Sequence, residues 1–405
     1  MSVRILFLLN DYLPPFRPDV NVLFGRELND LGIKTDLVGQ KSIERGENIK
    51  GFSWPAGRVL VCGAEVRGML GELVRPLRDI LFVKYLSPAH GIIQVRDKVR
   101  TGVIGLLVAR ITGKKFVYWM SFPFVEGFKV RFEQVGSSRG ILVKYGNYLR
   151  AVISKFVYYN IVVPQADHIF VQSQEMLEFM VRRGAVRERM TPVPMGVDIE
   201  LFARPAMPSA TPDFLVGKKV LAYLGVMGRV RNSEFLLSVL RHVRCHEKEA
   251  VLVLIGDCAS ADEKKWLNGQ IQESGLSDFV WMTGWLPQRK AIELLTHAHV
   301  GLSPVPRGEL FDVSSPTKVV EYLALGLPCV GNDIPDQKKV LDESGGGLCV
   351  PMEPRATAEA CLKILNDSAM SAEMSSKGPN WVRENRGYPA IASKVAVKYS
   401  EIVGH

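Results

Sequence analysis

The chain alternates along its length between short apolar runs and longer stretches in which apolar residues recur every three or four positions. In the first half, residues 3–9 predict a buried strand, residues 20–31 a helix closed by Gly32, and residues 34–38 a second strand. Further strands are predicted at 91–95, 116–119 and 168–171, a helix at 102–112, and a mostly helical segment at 127–163. The first half is therefore expected to be a β-α-β domain.

The second half repeats this alternation. Strands are predicted at 220–224, 251–255, 279–282, 300–303, 329–331 and 347–350, with helices between them. Residues 203–217 are proline-rich and aperiodic, which predicts a linker. We therefore expect an α/β protein of two Rossmann-like, doubly wound parallel-sheet domains, at 1–202 and 218–380, facing across a cleft. Residues 381–405 are expected to form a helix that crosses back to the first domain.

The charge is distributed unevenly. Residues 1–200 contain 28 lysines and arginines against 19 aspartates and glutamates, whereas residues 201–405 contain 23 of each, so the first half carries the whole net charge of +9. Such a domain suits an anionic contact, for which we favour a membrane surface over nucleic acid; a solvated basic face remains the alternative.

The apolar runs and the cysteines of the chain indicate where in the cell the protein is located. The first apolar run is too short for a signal peptide, and no stretch of 18 apolar residues occurs. The six cysteines are scattered, without zinc-ligand or disulfide spacing. We expect a cytoplasmic protein, with a peripheral position on the inner face of the membrane as the second interpretation.

Residues 314–330 carry the strongest chemical signal. The pattern predicts a loop, a helix with Ser315 as N-cap and Pro316 at its first position, and a strand after Gly326. Capping does not account for Lys318 and Glu321, which lie on one face of the first turns. A helix start with unpaired N–H groups and a lysine suits a diphosphate, and the glutamate suits ribose hydroxyls. A surface ion pair on a capped helix is the alternative reading.

This segment resembles the carboxy-terminal signature of retaining glycosyltransferases of family 4, which have the GT-B fold. Residues 166–173, 193–202, 223–228 and 283–286 are similar to four other stretches of that family, in the same order. The resemblance implies a nucleoside-diphosphate-sugar donor carrying uridine or guanosine, no metal, no further cofactor, and retention of the anomeric configuration.

Two departures from the family affect the donor site. The family's first glutamate lies eight positions before the second, where this chain has Val313. Its diphosphate clamp is an arginine and a lysine, at the positions of Val226 and Arg231 here, and Arg229 is a candidate replacement. Solvated charge is the alternative for Arg229 and Arg231.

The resemblance assigns residues to the two substrates. Catalytic roles are expected for Arg231, Lys318 and Glu321. Donor contacts are expected from Gly225, Gly228, Arg229, Trp285, Leu286, Val313, Ser314 and Ser315. On the acceptor side, Ser121 occupies the position where the family often has a histidine, and Glu126 and Pro15 lie in neighbouring loops; a structural role is the stronger reading for Glu126.

The expected reaction moves a sugar to a hydroxyl of a glycan or lipid-linked acceptor, in cell-envelope or polysaccharide biosynthesis. The chain lacks the G-x-G-x-x-G and G-x-x-x-x-G-K-[ST] loops of dinucleotide enzymes and NTPases, and a D-x-D metal pair. A GT-B epimerase or phosphorylase and a non-catalytic GT-B scaffold remain as alternatives.

The segment 127–163 allows two interpretations. Arg139 and Arg150 fall on one helical stripe and Lys144 and Lys155 on another, so no single cationic face is predicted. The segment is either a reversible membrane contact or an ordinary amphipathic core helix.

Overall fold

The computed structural model describes residues 3–13, 15, 17–41, 53–64, 80–127, 141–203 and 210–404. The chain divides into two compact units. The first comprises Met1–Pro194 with Tyr388–His405, and the second comprises Met195–Gly387. The division precedes the predicted domain limit at residue 202, because Val197 and Phe202 pack into a core cluster of the second unit.

The strands number thirteen in the described chain and are named in order of sequence. They are β1 (Arg4–Leu13), β2 (Lys34–Lys41), β3 (Val59–Ala64), β4 (Ile92–Arg96), β5 (Lys115–Met120), β6 (His168–Val171), β7 (Met190–Pro192), β8 (Lys219–Leu224), β9 (Ala250–Ile255), β10 (Val280–Met282), β11 (Val300–Ser303), β12 (Cys329–Asn332) and β13 (Gly347–Val350).

The α-helices of the described chain are named in the same way. They are α1 (Pro18–Asn21), α2 (Leu28–Asp30), α3 (Val99–Ile111), α4 (Ile141–Val157), α5 (Val163–Gln165), α6 (Gln174–Val181), α7 (Ile199–Ala203), α8 (Glu234–Arg244), α9 (Ala261–Glu273), α10 (Gln288–Leu295), α11 (Thr317–Ala324), α12 (Pro335–Ser344), α13 (Pro354–Asn366), α14 (Ser368–Asn385) and α15 (Tyr388–Gly404).

The first unit is built on a parallel sheet with the strand order β3-β2-β1-β4-β5-β6-β7. Ile5, Phe7 and Leu9 of β1 alternate into a core that also contains Tyr388 and Tyr399 of α15. The strand order reverses between β1 and β4, which makes their carboxyl ends the topological switch point of this sheet.

The second unit has a parallel sheet with the order β10-β9-β8-β11-β12-β13. One core cluster places α8 and α13 against Leu221, Leu252 and Leu302 of the central strands. A second cluster includes Val320 and Leu323 of α11. Here the switch point lies between β8 and β11.

Several predictions differ in detail from the structure. The helix predicted at 20–31 is α1 and α2 joined by a π-helical turn at Leu23–Glu27, and Gly32 follows with a left-handed φ of +83°. β3 and β7 were not predicted. The first part of the 127–163 segment, residues 128–140, lies outside the described residues, and α4 begins after it. None of the helices within the described ranges combines the length and the apolar character that crossing a bilayer requires.

Candidate functional site

The strongest candidate residues of the second unit converge on the β8/β11 switch point. The loop after β8 contains Gly225 and Gly228, and the loop after β11 leads into α11 with Lys318 and Glu321. In open parallel sheets this position, outside the carboxyl ends of the strands, is where ligands bind.

Gly225 and Lys318 are brought into contact across the switch point. Gly225 has a φ of +138°, and a Cβ atom at this position would lie 3.0 Å from the Cε atom of Lys318. The Lys318 Nζ lies 5.0 Å from the centre of the Tyr223 ring. The lysine side chain therefore extends over the glycine loop, and any residue larger than glycine would displace it.

A second glycine supports this loop. Gly256 follows β9 with a φ of +133°, and a Cβ atom there would lie 2.3 Å from the Gly225 carbonyl oxygen. The Gly256 N–H donates to the Thr283 hydroxyl at 3.2 Å, and Gly256 forms an isolated bridge with Gly284. The loops after β8, β9 and β10 are thus stacked against one another by close backbone approach.

The start of α11 differs from the prediction. The N-cap is Pro316, with no side-chain hydrogen bond to the helix, and the helix begins at Thr317. The prediction of Ser315 as the N-cap was wrong, because its hydroxyl forms hydrogen bonds with Asp336 and with the Met195 N–H instead. The first N–H groups of an α-helix have no intrahelical acceptor, so the uncapped start of α11 presents donors and a positive dipole end next to Lys318.

Ser315 belongs to a buried polar network. Its hydroxyl donates to Asp336 Oδ2 at 2.6 Å and accepts the Met195 N–H at 3.0 Å. Arg386 binds both Asp336 oxygens, at 2.6 and 3.2 Å, and also reaches the Ser315 hydroxyl. Since all these groups are satisfied by one another, the Ser315 side chain supports the start of α11 and leaves only its backbone for a donor.

The two preceding residues, Val313 and Ser314, also direct their side chains to contacts within the unit. The Val313 side chain is buried. The Ser314 N–H and hydroxyl both donate to the Phe311 carbonyl, at 2.9 and 2.6 Å. The amide and the hydroxyl of Ser314, an expected donor contact, therefore both close a turn of its own loop.

Glu321 is a partly buried carboxylate one turn into α11. Burial raises its pKa to about 7, and the positive charge of Lys318 opposes this rise. Within the described residues no side chain donates a hydrogen bond to it, and it forms no ion pair with Lys318. A carboxylate with unfilled acceptor positions at a ligand-binding edge is suited to bind hydroxyl groups.

The neighbouring Tyr322 was not found by sequence reasoning. Its buried hydroxyl accepts the Leu224 N–H at 2.8 Å and donates to the Leu302 carbonyl at 3.2 Å. It thereby fixes α11 against the ends of β8 and β11. A tyrosine in an apolar helix face gives no sequence signal of this role beyond its need for a buried partner.

The two arginines after Gly228 have different surroundings. The Arg229 backbone N–H and guanidinium both bind Glu263, at 2.7 and 2.8 Å, and the guanidinium lies over the Trp266 ring. Arg231 is exposed, with its guanidinium 5.7 Å from the centre of the Phe311 ring. Arg229 is thus neutralised within the unit, and Arg231 is the arginine that faces the loop before α11.

Trp285 and Leu286 form the turn after β10. The Trp285 side chain is 76% exposed, so its flat face is available for stacking, whereas Leu286 packs against the core. Asp257, another residue that sequence reasoning missed, lies close by. Hydrogen bonds from the Cys258 N–H, Lys264 and the Trp285 N–H lower the pKa of its carboxyl group. The Gly256-Asp257 pair directly after an apolar strand was the available signal.

Ser121, the acceptor-side candidate of the first unit, is bonded to Asp97. Its N–H donates to Asp97 Oδ1 at 2.8 Å, and its hydroxyl donates to Oδ2. Asp97 has a φ of +50°, uncommon for a non-glycine residue. Arg96 pairs with Asp97 at 3.3 Å and with the buried Asp19 at 2.6 Å. Burial raises the pKa of Asp97, and the charge of Arg96 opposes the rise.

The other two acceptor-side candidates lie in ordinary packing positions. Glu126 is buried, accepts the Tyr159 hydroxyl at 2.7 Å and lies 3.5 Å from Arg183 Nε. This pairing favours the structural role for Glu126. Pro15 is buried in the loop after β1.

Comparison with known proteins finds one family model that matches part of the second unit. The sequence model described as glycosyl transferases group 1 matches residues 218–367, less than half of the chain. The match contains the glycine loop, the Trp285 turn and α11. No sequence among the curated proteins matches the chain.

Solved structures decide the fold. HepE of Anabaena, crystallised with UDP and glucose, superposes with a TM-score of 0.71 at 16% identity, covering 98% of this chain and 100% of its own. Sucrose-phosphate synthase of Thermosynechococcus elongatus gives 0.72 at 17%, covering 99% of both chains. The fold is GT-B. WaaG, a glycosyltransferase involved in lipopolysaccharide biosynthesis, is another GT-B relative in shape, with a TM-score of 0.67 at 12% identity over 98% of this chain and 99% of its own.

Proposed function

We propose that this GT-B protein transfers a sugar from a nucleoside-diphosphate sugar to a hydroxyl group of a glycan or lipid-linked acceptor. The single observation that carries the proposal is the placement of Lys318 over Gly225, at the uncapped start of α11, with Glu321, which has no ion-pair partner among the described residues, one turn further. The group 1 family match over 218–367 supports sugar transfer. HepE structures with UDP and with UDP-glucose support a uridine nucleotide as the first donor to test.

The donor would bind through four side chains of the second unit and the backbone at the start of α11. Lys318, Arg231 and the first N–H groups of α11 receive the diphosphate, because they supply positive charge at one end of the sheet. The Glu321 carboxylate accepts hydrogen bonds from the ribose hydroxyls. Trp285 offers its exposed ring to the base.

We further propose that the reaction retains the anomeric configuration and needs no metal. The bond between the anomeric carbon and the diphosphate oxygen breaks, and the acceptor oxygen bonds to the same face of that carbon. The departing diphosphate oxygen takes the acceptor proton. Lys318, Arg231 and the α11 amides stabilise the negative charge that develops on the leaving group.

The acceptor would meet the first unit at the carboxyl ends of its strands, where Ser121 and Asp97 lie. We propose a role in cell-envelope or polysaccharide biosynthesis, in the cytoplasm, since the excess positive charge of the first half suits a phosphorylated, lipid-linked or membrane-bound acceptor.

Nucleotide binding is the direct test of the donor site. Thermal unfolding of the purified protein is measured with UDP, GDP and ADP and with their glucose or mannose conjugates. A nucleotide at 100 times its Kd adds about 2.7 kcal/mol to the stability of the folded state, which raises the Tm by a few degrees. We expect UDP or GDP to produce this shift, and Lys318→Ala and Glu321→Ala to remove it.

Matched variants on the surface of the same unit control for general effects. Lys338→Ala and Glu359→Ala remove exposed partners of ordinary helical ion pairs and should leave the shift unchanged. Binding of none of the nucleotides would favour the scaffold alternative. Binding followed by epimerisation or phosphorolysis without an acceptor would favour the second enzyme class. Nuclear magnetic resonance of the product reports whether the anomeric configuration is retained.

A further inference from the structure

In the first unit, five large apolar side chains are exposed on residues 148–157 of helix α4, the part of this helix whose side chains the structure describes. Their exposed fractions run from 46% for Val152 to 63% for Phe156, and the other three are Tyr148, Leu149 and Ile153. Apolar residues of a surface helix normally face the core. A contiguous exposed set of this size usually marks a contact with a partner or a membrane.

These five residues, here called the α4 face, lie on one side of the helix. Their positions follow the spacing i, i+1, i+4, i+5, i+8, which at 3.6 residues per turn confines them to a stripe roughly 140° wide. An ordinary core helix would turn such a stripe inwards. That alternative reading of the 127–163 segment therefore does not describe residues 148–156.

Positive charge borders the α4 face on both sides. On the same helical projection Lys155 falls at one margin and Arg150 at the other, and both side chains are exposed. Of the two cationic stripes noted in the sequence, Arg150 and Lys155 therefore lie at opposite edges of one apolar surface. Residues 134–166 contain no aspartate or glutamate, so every formally charged side chain in this stretch is positive.

We propose that the α4 face docks this protein onto an anionic lipid bilayer. The apolar side chains enter the boundary between head groups and acyl chains, and Lys155 and Arg150 meet the anionic head groups. The helix has 17 residues with cations at both edges of its apolar stripe, so it would lie in the plane of the interface. This interaction goes beyond sugar transfer and needs no nucleotide.

A second copy of the chain is the weaker occupant. A symmetric dimer joins the same patch of both subunits. Such a dimer would bring the Lys155 and Arg150 of one chain towards the same cations of the other, with no carboxylate on α4 to pair with them. An anionic surface complements both the apolar stripe and its edges.

Vesicle co-sedimentation of the full chain without nucleotide tests the proposal. We expect binding to vesicles of phosphatidylglycerol and phosphatidylcholine at low salt, and much weaker binding to phosphatidylcholine alone. Val152→Ser/Ile153→Ser should reduce the partition coefficient roughly tenfold or more, because it removes apolar area from the contact. Arg150→Gln/Lys155→Gln should reduce it by a similar factor and remove most of its salt dependence.

The matched control is Val186→Ser/Val397→Ser, which removes two β-branched side chains of comparable exposure elsewhere in the same unit. It should bind vesicles like the wild type, and thermal unfolding verifies that each variant is folded.

Absence of wild-type binding to anionic vesicles, or equal loss in the control, would overturn the proposal. A wild-type dimer in light scattering that only Val152→Ser/Ile153→Ser dissociates would assign the α4 face to a second copy. The UDP-induced shift in Tm, measured on the same samples, separately tests the donor site.

Discussion

Charged residues lie at the switch points of both sheets, but they are ion-paired in the first unit and form no ion pair in the second. In the first unit Asp19, Arg96 and Asp97 are paired with one another at the ends of β1 and β4. In the second unit Lys318 and Glu321 lie at the ends of β8 and β11, and neither has an ion-pair partner among the described residues. Equivalent positions in one fold therefore carry either internal pairing or charge left for a ligand.

This contrast explains why candidate donor residues are easier to propose than candidate acceptor residues. Among the described residues Lys318 and Glu321 form no ion pair, and a lysine and a glutamate in this state beside a glycine loop are candidates for binding a ligand. The charges of the first unit stabilise the local structure whether or not they also touch a substrate. The same kind of substitution should therefore affect stability in one unit and activity in the other.

Arg96→Met should have the largest effect on stability. It removes the guanidinium that pairs with both Asp19 and Asp97 in a buried position, at a cost of about 3–5 kcal/mol. Urea unfolding should show this loss. Arg110→Met, at an exposed pair with Asp167, is the control and should cost less than about 1 kcal/mol. Equal stability of the two variants would remove the contrast between the units.

Lys318→Met should reverse this pattern. We expect kcat/KM for sugar transfer to fall by about 10²–10³, the usual effect of removing one stabilising group from a developing negative charge, while the free energy of unfolding changes little. Steady-state kinetics and urea unfolding on the same preparation measure both quantities. Lys338→Met serves as the control. A stability loss as large as that of Arg96→Met would show that Lys318 is a structural residue.

Glu321→Gln should strengthen the fold at neutral and alkaline pH. The pKa of Glu321 is raised to about 7 in the folded protein from a usual value near 4.5, so its ionisation costs folding free energy as the pH rises from about 4.5 to 7. The neutral glutamine avoids this cost. We expect a gain of about 1–3 kcal/mol at pH 8 and almost none at pH 4, together with weaker UDP or GDP binding at pH 8.

Unfolding curves and nucleotide titrations at the two pH values check this prediction. If Glu321→Gln gains stability and loses nucleotide affinity, the negative charge of Glu321 serves ligand binding at the expense of stability. A gain that is the same at both pH values would mean that ionisation of Glu321 is not its cause.

Ser315→Ala should have the smallest effect and sharpens the distinction within α11. It removes the hydrogen bonds to Asp336 and Met195, at a cost of about 1–2 kcal/mol. The nucleotide Kd should change less than about twofold, since the hydroxyl is used inside the unit. Isothermal titration together with thermal unfolding measures both. A large loss of nucleotide affinity without loss of stability would mean that the Ser315 hydroxyl contacts the donor.

The alternation of strands and helices was predictable because apolar periodicity follows directly from burial in a parallel sheet. The strands at 168–171, 300–303 and 347–350 coincide with the structure for this reason. β3 and β7 lie at the edges of the first sheet and were missed for different reasons: β3 is an apolar run of six residues that was not interpreted as a strand, whereas β7 has only three residues. The domain limit shifted because packing of Val197 and Phe202 outweighs the composition of the linker.

By itself, the sequence determined two parallel-sheet domains of α/β type and a helix start with a lysine and a glutamate, since periodicity, capping residues and short motifs act over a few neighbouring positions. Only the tertiary structure decided which charged and polar side chains are paired within the protein and which are not. It paired Arg229 with Glu263 and Ser315 with Asp336 and left Lys318 over Gly225. It also turned the apolar side of α4 outwards. Hydrogen bonding, ion pairing and burial depend on residues that are distant in the chain, and no local pattern records them.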